Sequence, residues 1–385
     1  MTFTPTRAAG LAALSTFVPH AGRDYAETRN FDHGPADRSN VSMLSPYLRY
    51  RLVSEAEAVD AALARHTPAA AEKFVQEVLW RTYWKGALEL RPSIWGAYRS
   101  DLTALDKQTG GWRRDYEKAI EGRTGIDCFD AWVGELDDHG YLHNHARMWF
   151  ASIWIFTLRL PWQLGAEFFR QRLYDGDPAS NTLSWRWVAG LQTVGKTYLA
   201  RADNIARYTD GRFSPKGLAV NAPALSSSPL PKPRDLPPIE AATAGTAGLL
   251  IHEDDLTPET LPLQEVAIKA VAGLSGRSGR VDAVETFVDQ AVGDACARAS
   301  AAFGQAAAPG LDVPALRDWA RAHALHTIVT AYAPVGPGAT ALAAAGAALA
   351  QDGVDLVVLR RDWDSAAWPH AQRGFFAFKE RFVPA

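Results

Sequence analysis

Between residues 214 and 245 the chain turns to Pro, Ser and Ala, and the spacing of its apolar residues differs on the two sides of that stretch. Its centre, Ser226-Ser-Ser-Pro-Leu-Pro-Lys-Pro-Arg-Asp-Leu-Pro-Pro238, favours extended polyproline conformation and defeats helix. It reads as a linker. Upstream, from residue 8 to about residue 212, apolar residues recur mostly at three and four, hydroxyl or acidic residues stand at helix starts, and alternating β-branched runs are almost absent. This half is expected to be all-α, with clear amphipathic helices at 70–81 and 124–136. Downstream, the short apolar runs 247–252, 266–271, 327–332 and 354–359 read as buried strands. Ala-rich helices are expected between them at about 281–303, 313–324 and 338–351. Alternation of strand and helix implies a small, mostly parallel α/β sheet. The expected organisation is α-rich: a helical domain at 1–213, a linker at 214–245 and a small α/β domain at 246–385.

A length of 385 residues, 47% apolar content and 22% charge describe a globular chain with room for a large core. A net charge of −3 argues against holding nucleic acid by bulk electrostatics, so any DNA contact needs a local basic surface. Arg113, Arg114, Lys118, Arg123, Arg186, Lys196, Arg201, Arg207 and Arg212 offer one, or else form an ordinary solvated face. Two distant thiols, Cys128 and Cys296, build neither a disulfide framework nor a four-cysteine iron–sulfur cluster. The N-terminus lacks a signal-peptide pattern, and the most apolar stretch, 148–160, is too short to span a bilayer. A cytoplasmic protein without a membrane partner is expected. The glycines within 332–338 match neither G-x-G-x-x-G nor a P-loop and read as a turn.

Four motifs in the helical half carry chemistry. Asp175-Gly-Asp-Pro-Ala-Ser-Asn181-Thr-Leu-Ser-Trp185-Arg-Trp187 combines two acids, an amide and two indoles, at intervals suited to one flat heterocycle. Gly140-Tyr-Leu-His-Asn144-His-Ala-Arg147-Met148 reads as a buried helix start carrying an amide, a cation and a thioether. Ser42-Met43-Leu44-Ser45 follows Tyr25 and offers hydroxyls and backbone N–H groups at a helix opening, where an anionic phosphate is favoured, although an ordinary serine cap has the same pattern. Phe74-Val-Gln-Glu77-Val-Leu-Trp80-Arg81 places an acid and an indole three apart, on one helix face.

In order and spacing these four motifs resemble the photolyase/cryptochrome family over roughly residues 8 to 215. The resemblance implies a photolyase-type FAD-binding domain, with FAD held by Tyr25, Ser42, Met43, Leu44, Ser45, Arg81, Asn144, Arg147, Asp175, Asp177, Asn181 and Trp185. Asn181 aligns with the residue facing flavin N5, where repair enzymes keep Asn and cryptochromes commonly do not. Asp175 and Arg147 align with a buried ion pair beside the flavin ring. Glu77, Trp80, Asn144, Met148 and Trp187 align with the wall that meets a cyclobutane pyrimidine dimer, with Glu77, Asn144 and Asn181 as the catalytic set. Such a dimer is poorly stacked and cheap to flip from the duplex. Trp185 and Trp162 align with the proximal and middle members of a tryptophan electron relay, and Trp112 is the expected distal member.

The resemblance therefore implies light-driven, FAD-dependent repair of pyrimidine dimers in DNA by a monomeric lyase. The alternative is a cryptochrome-like photoreceptor or redox signalling protein. Family members place an α/β domain before the flavin domain, whereas here it follows, as in a permuted arrangement, so an antenna chromophore is not expected. His145 stands where the family has Arg, Tyr141 where it has Trp, and 192–205 departs from the usual segment. His143 and His145 are either helix caps or acid–base groups.

Overall fold

In the computed structural model, residues 3–226, 229–238, 244–263 and 265–382 are described. Helices fill the chain from Arg7 to Tyr208, and the longest, Pro68–Glu89, is its hub. Thr67 caps that helix by accepting from the Ala70 N–H, and Pro68 occupies the first turn, where a missing N–H costs nothing. Phe74, Val78, Leu79, Tyr83, Trp84 and Leu88 are all buried on it. A helix apolar around most of its circumference must be enclosed, and here Glu55–Arg65, Pro178–Val188 and the C-terminal turn Trp368–His370 enclose it.

The second part is a five-stranded, all-parallel sheet of β1 (Gly245–Ile251), β2 (Val266–Leu274), β3 (Ala307–Leu311), β4 (Thr327–Ala331) and β5 (Asp355–Leu359), in the order β3-β2-β1-β4-β5. Helices Asp282–Phe303, Val313–Ala322 and Pro337–Gln351 connect successive strands. The edge strand β3, Ala-Ala-Pro-Gly-Leu, was not expected from the sequence. Pro309 and Gly310 read as breakers, and an edge position tolerates both because one side of the strand needs no partner.

Strand order reverses at β1, between β2 and β4, and open parallel sheets commonly bind ligands at the carboxyl ends of strands at such a point. Here that position is filled by ion pairs, those of Arg49 and Arg51 coming from the helical part. His252-Glu-Asp-Asp255 follows β1, and Arg49 Nη1 lies 2.6 Å from Asp254 Oδ1. Arg51 Nη2 lies 2.6 Å from Asp364 Oδ1, and Arg280 and Arg361 close on Glu253 and Asp255 at 2.7 and 2.6 Å. The apolar core is likewise shared: Leu14, Phe17, Tyr47, Val59 and Phe74 join one cluster with Leu249, Ile251, Val271 and Phe287. The proline-rich stretch thus connects two architectures without separating two cores. It is tied down by its own carbonyls, Pro231 O accepting from Arg91 and Pro237 O from Arg360.

Candidate functional site

The motif segments converge because each is anchored by a local device. Asp177 caps helix Pro178–Val188 by accepting from the Ser180 N–H at 2.7 Å, which brings Asp175, Asn181, Trp185 and Trp187 to the hub helix. Helix Asp127–His139 ends at Gly140, whose φ of +58° and contact with the Tyr174 ring both suit a residue without a side chain. His143 then opens helix Asn144–Ser152, its Nδ1 accepting from the His145 N–H. The helix start is buried at Tyr141, Leu142, His143 and Ala146, but Asn144, the first helical residue, is exposed, and Met148, one turn on, is half-buried.

At the centre, Arg147 Nη1 lies 3.0 Å from Asp175 Oδ2. Burial pushes the Asp175 carboxyl up, but Arg147 and Arg81 outweigh it and hold the group below the usual range. Asp177 is held down in the same way, against burial, by Lys85, Arg49 and Arg81. Arg81 Nη1 and Arg49 Nε stand 3.7 and 3.9 Å from Asp177 Oδ2. Buried polar atoms are nearly always hydrogen-bonded, yet Ser45 Oγ, Arg81 Nη1 and Asp175 Oδ1, from three separate segments, have no hydrogen bond of good geometry, although Ser45 lies near enough to help hold the Asp175 carboxyl down. Such unmet donors and acceptors fit a polar, phosphate-bearing cofactor such as FAD.

The Ser42–Ser45 segment does not open a long helix. Helix Ser45–Arg49 has five residues, Ser42 Oγ accepts from the Leu44 N–H at 3.4 Å, and Met43 sits in the left-handed region at φ +53°. Hydroxyls, not a helix dipole, are what this turn offers. Tyr25 is buried, with its ring 5.7 Å from both Phe17 and Phe74, and Arg29 lies over it at 5.9 Å. Asn181 donates from Nδ2 to the Ala166 carbonyl at 2.7 Å, which fixes its amide.

On the hub helix Glu77 is paired with Arg29 at 2.5 Å; burial nonetheless pushes its carboxyl above the usual range. Trp80 has one face covered by Phe375, at 3.7 Å between ring centroids and 11° between planes. Trp187, stacked on Tyr198 at 5.8 Å, packs against the same aromatic cluster as Trp80. Trp185 is buried among Phe150, Trp154 and Phe169, Trp162 stacks on Tyr98, and Trp112 meets Tyr116. Sequence reasoning missed Phe375, Arg49, Lys85 and Trp154, and gave Arg29 no role. Only Arg29, four residues after Tyr25, carried a local signal.

Several of the basic side chains are tied to neighbours: Arg113 caps carbonyls of Leu105, Asp106 and Gln108, while Lys118, Arg123, Arg201 and Arg212 pair with Asp115, Glu121, Asp203 and Asp32. Cys128 and Cys296 are free and buried. Among the described residues no helix is long and apolar enough to cross a membrane, and no cluster of three metal-binding side chains occurs.

Burial lowers the His143 imidazole to about 3, and its Nε2 lies 3.0 Å from the Arg29 carbonyl, so this residue is a neutral cap rather than an acid–base group at neutral pH. A histidine depressed in the folded state binds its proton first in the unfolded state, so stability falls as pH drops below about 6.5, the unfolded value. His143→Asn retains a capping side chain and removes the titration. It is expected to flatten the loss of unfolding free energy between neutral pH and about pH 5 by about 2 kcal/mol, read from urea titrations. An unchanged pH slope would assign the acid sensitivity elsewhere.

Residues 74–218 match the family described as FAD binding domain of DNA photolyase. A deoxyribodipyrimidine photo-lyase of Streptomyces griseus is 33% identical over 231 residues, 56% of this chain and 48% of that protein. One of Agrobacterium fabrum is 35% identical over 195 residues, 49% of this chain and 39% of its own length. The crystal structure of a bacterial class III photolyase from Agrobacterium tumefaciens aligns with a TM-score of 0.46 at 30% identity, covering 54% of this chain and 43% of that one. This chain spans less than half the length of these relatives.

Proposed function

We infer, from a helical part that belongs to the photolyase/cryptochrome family of FAD-binding domains, that this protein is a flavoenzyme using blue light to split cyclobutane pyrimidine dimers in DNA. The observation that carries the reading is the buried Arg147–Asp175 ion pair with Asp175 Oδ1, Arg81 Nη1 and Ser45 Oγ beside it and without a hydrogen bond of their own, and with Glu77, Trp80 and Trp187 around the same hub helix.

Bound FAD would supply the electron that opens the dimer when excited by light, and would receive it back. The chain's own residues bind and orient. Ser45 and Arg81 would meet polar groups of the cofactor, and Arg147 would set its positive charge beside the ring while Asp175 holds Arg147 in place. The Asn181 amide, fixed by Ala166, would present its oxygen to the cofactor's ring edge. Trp80 and Trp187 would take the flipped bases by stacking, and Asn144 and Met148 would line the mouth from the first two turns of their helix. Glu77, raised by burial and tied to Arg29, would bond the pyrimidine edge.

The test is illumination of reduced, flavin-loaded protein with an oligonucleotide bearing one thymine dimer, followed by recovery of thymine absorbance. Dimer loss that depends on light and flavin is the expected result. Retained flavin with an unchanged dimer would replace this reading with that of a photoreceptor, which Phe375 on the face of Trp80 would then help to explain. Protein that takes up no FAD would overturn both.

A further inference from the structure

We propose that the open groove bounded by helix Ser93–Asp106, residues 159–163 and the proline-rich stretch is a binding site for a nucleoside monophosphate, with Arg159 and Arg186 on the phosphate and Trp112 against the base. The groove measures about 920 Å³, inside the range of about 300–1,000 Å³ usual for small-molecule sites. Ser45, Arg81, Arg147, Asp175 and Asn181 do not line it. It is therefore a second site, independent of the flavin-binding reading above.

The positive charge in the groove is uncompensated. Arg186 is half-buried, its Nε is buried without a hydrogen-bond partner, and its guanidinium closes on no carboxylate among the described residues. Burial pushes its pKa down, and Asp101 opposes this without forming an ion pair. Asp101 is itself engaged, its Oδ2 accepting from Gln163 Nε2 at 2.9 Å. A cation that has lost water without gaining a counter-ion is a seat for an anion, and the guanidinium fork matches two phosphate oxygens. The Trp162 ring, 5.9 Å from that guanidinium, holds it in place. Arg159 supplies the second charge. It is exposed, makes no side-chain hydrogen bond or ion pair among the described residues, and sits in the left-handed region at φ +56°. Residues other than glycine rarely adopt that conformation, and where they do they gather at ligand clamps and active sites.

The rest of the groove sorts the ligand. Trp162 is buried, with Tyr98 stacked on it at 5.7 Å, whereas Trp112 is only half-buried. Trp112 is thus the indole left to take a flat heterocycle, and stacking of this kind tolerates any base, so the site selects nucleoside phosphates as a class. Asp101 and Gln163 offer an acceptor and an amide to sugar hydroxyls. Another wall is made by Pro223, Pro229 and Pro231, residues without an N–H, which leaves donation to the phosphate to the two arginines. That wall is fixed to the helical part: the Leu225 N–H donates to the Ala189 carbonyl at 3.1 Å, and Thr197 Oγ1 donates to the Ala222 carbonyl at 2.7 Å.

The experiment is isothermal titration of the intact chain with adenosine monophosphate, adenosine and inorganic phosphate at one salt concentration. The nucleotide is expected to bind more tightly than either of its parts. Arg186→Met is expected to weaken nucleotide and phosphate about tenfold, and Trp112→Leu to weaken the nucleotide about tenfold while leaving phosphate as it is. Arg159→Gly is expected to weaken both about threefold, and since glycine suits φ +56° at no steric cost, that loss is not one of a damaged fold. Arg81→Met, at the cofactor site, leaves nucleotide binding unchanged. Nucleotide binding that is absent from the parent, that survives both Arg186→Met and Arg159→Gly, or that is lost in Arg81→Met and kept in Arg186→Met overturns the site. Equal affinity for nucleotide and inorganic phosphate overturns the nucleoside assignment. None of these readouts requires bound flavin or dimer repair, so this proposal and the flavoenzyme reading fail separately.

Discussion

Arg51→Met is expected to lower the unfolding free energy by about 3–5 kcal/mol, because it leaves buried carboxylates without their counter-charge. The guanidinium is 2% exposed and touches three of them: Glu55 Oε2 at 3.0 Å, Asp255 Oδ2 at 3.4 Å and Asp364 Oδ1 at 2.6 Å. Asp255 retains Arg361, but Asp364 has no other ion pair among the described residues, and Glu55 has otherwise only Lys85 at 4.0 Å. Burial already pushes the Asp364 carboxyl above its usual range, with Arg51 opposing. Removing Arg51 pushes it further. An acid whose folded value is raised weakens the fold above its unfolded pKa, so the penalty should shrink as pH falls and Asp364 takes up a proton. Urea unfolding at two pH values measures both parts. Because Glu55 lies in the helical part and Asp255 and Asp364 follow β1 and β5, one cooperative transition is expected in the parent protein. A loss below about 1 kcal/mol, the range of exposed pairs, would show that water reaches this cluster and that it does not join the two architectures.

How much of this was legible in the sequence depended on whether the information was local. The helix Pro68–Glu89 was visible over 70–81 in its apolar spacing, and strands β1, β2, β4 and β5 in their short apolar runs, because periodicity is written within a few residues. The edge strand β3 was not, because Pro309 and Gly310 are acceptable only when a strand has an open side, and that is a property of the sheet. The same division holds at the site. Asp177 as a helix cap and the spacing of Asn181, Trp185 and Trp187 are local facts, whereas the pairing of Glu77 with Arg29 spans 48 residues and that of Arg51 with Asp364 spans 313. Long-range partners leave no periodic trace. Trp162 entered the expected relay by alignment, while Trp154 looked like one more apolar residue until the π turn Ile153–Thr157 and Gly165 set its ring against Trp185. Phe375 is the extreme case, since a ring close to the C-terminus ends up flat against the indole read as a lesion platform.

That stack makes Trp80 the most informative single residue for testing the proposed binding of a dimer. Trp80→Ala is expected to weaken binding of dimer-containing DNA about 10–100-fold, the scale of losing one base–aromatic stack worth about 1–3 kcal/mol. Undamaged DNA should bind as before, since its bases stay stacked in the duplex and its contacts are to phosphates. Titration of labelled damaged and undamaged duplexes, at one fixed salt concentration, reads the difference. Trp80 also packs against Trp84 at 5.3 Å and Tyr83 at 5.7 Å, so alanine opens a gap beneath Phe375 and a structural cost is expected alongside. Phe375→Leu separates the two effects. It removes the flat ring from behind Trp80 while keeping an apolar side chain in the cluster. If Trp80 takes a lesion base by stacking, Phe375→Leu changes affinity far less than Trp80→Ala. If both variants lose damaged and undamaged DNA equally, the indole is there to anchor the C-terminal helix Phe375–Lys379, and the proposed recognition of the dimer would fall to Trp187, Glu77, Asn144 and Met148.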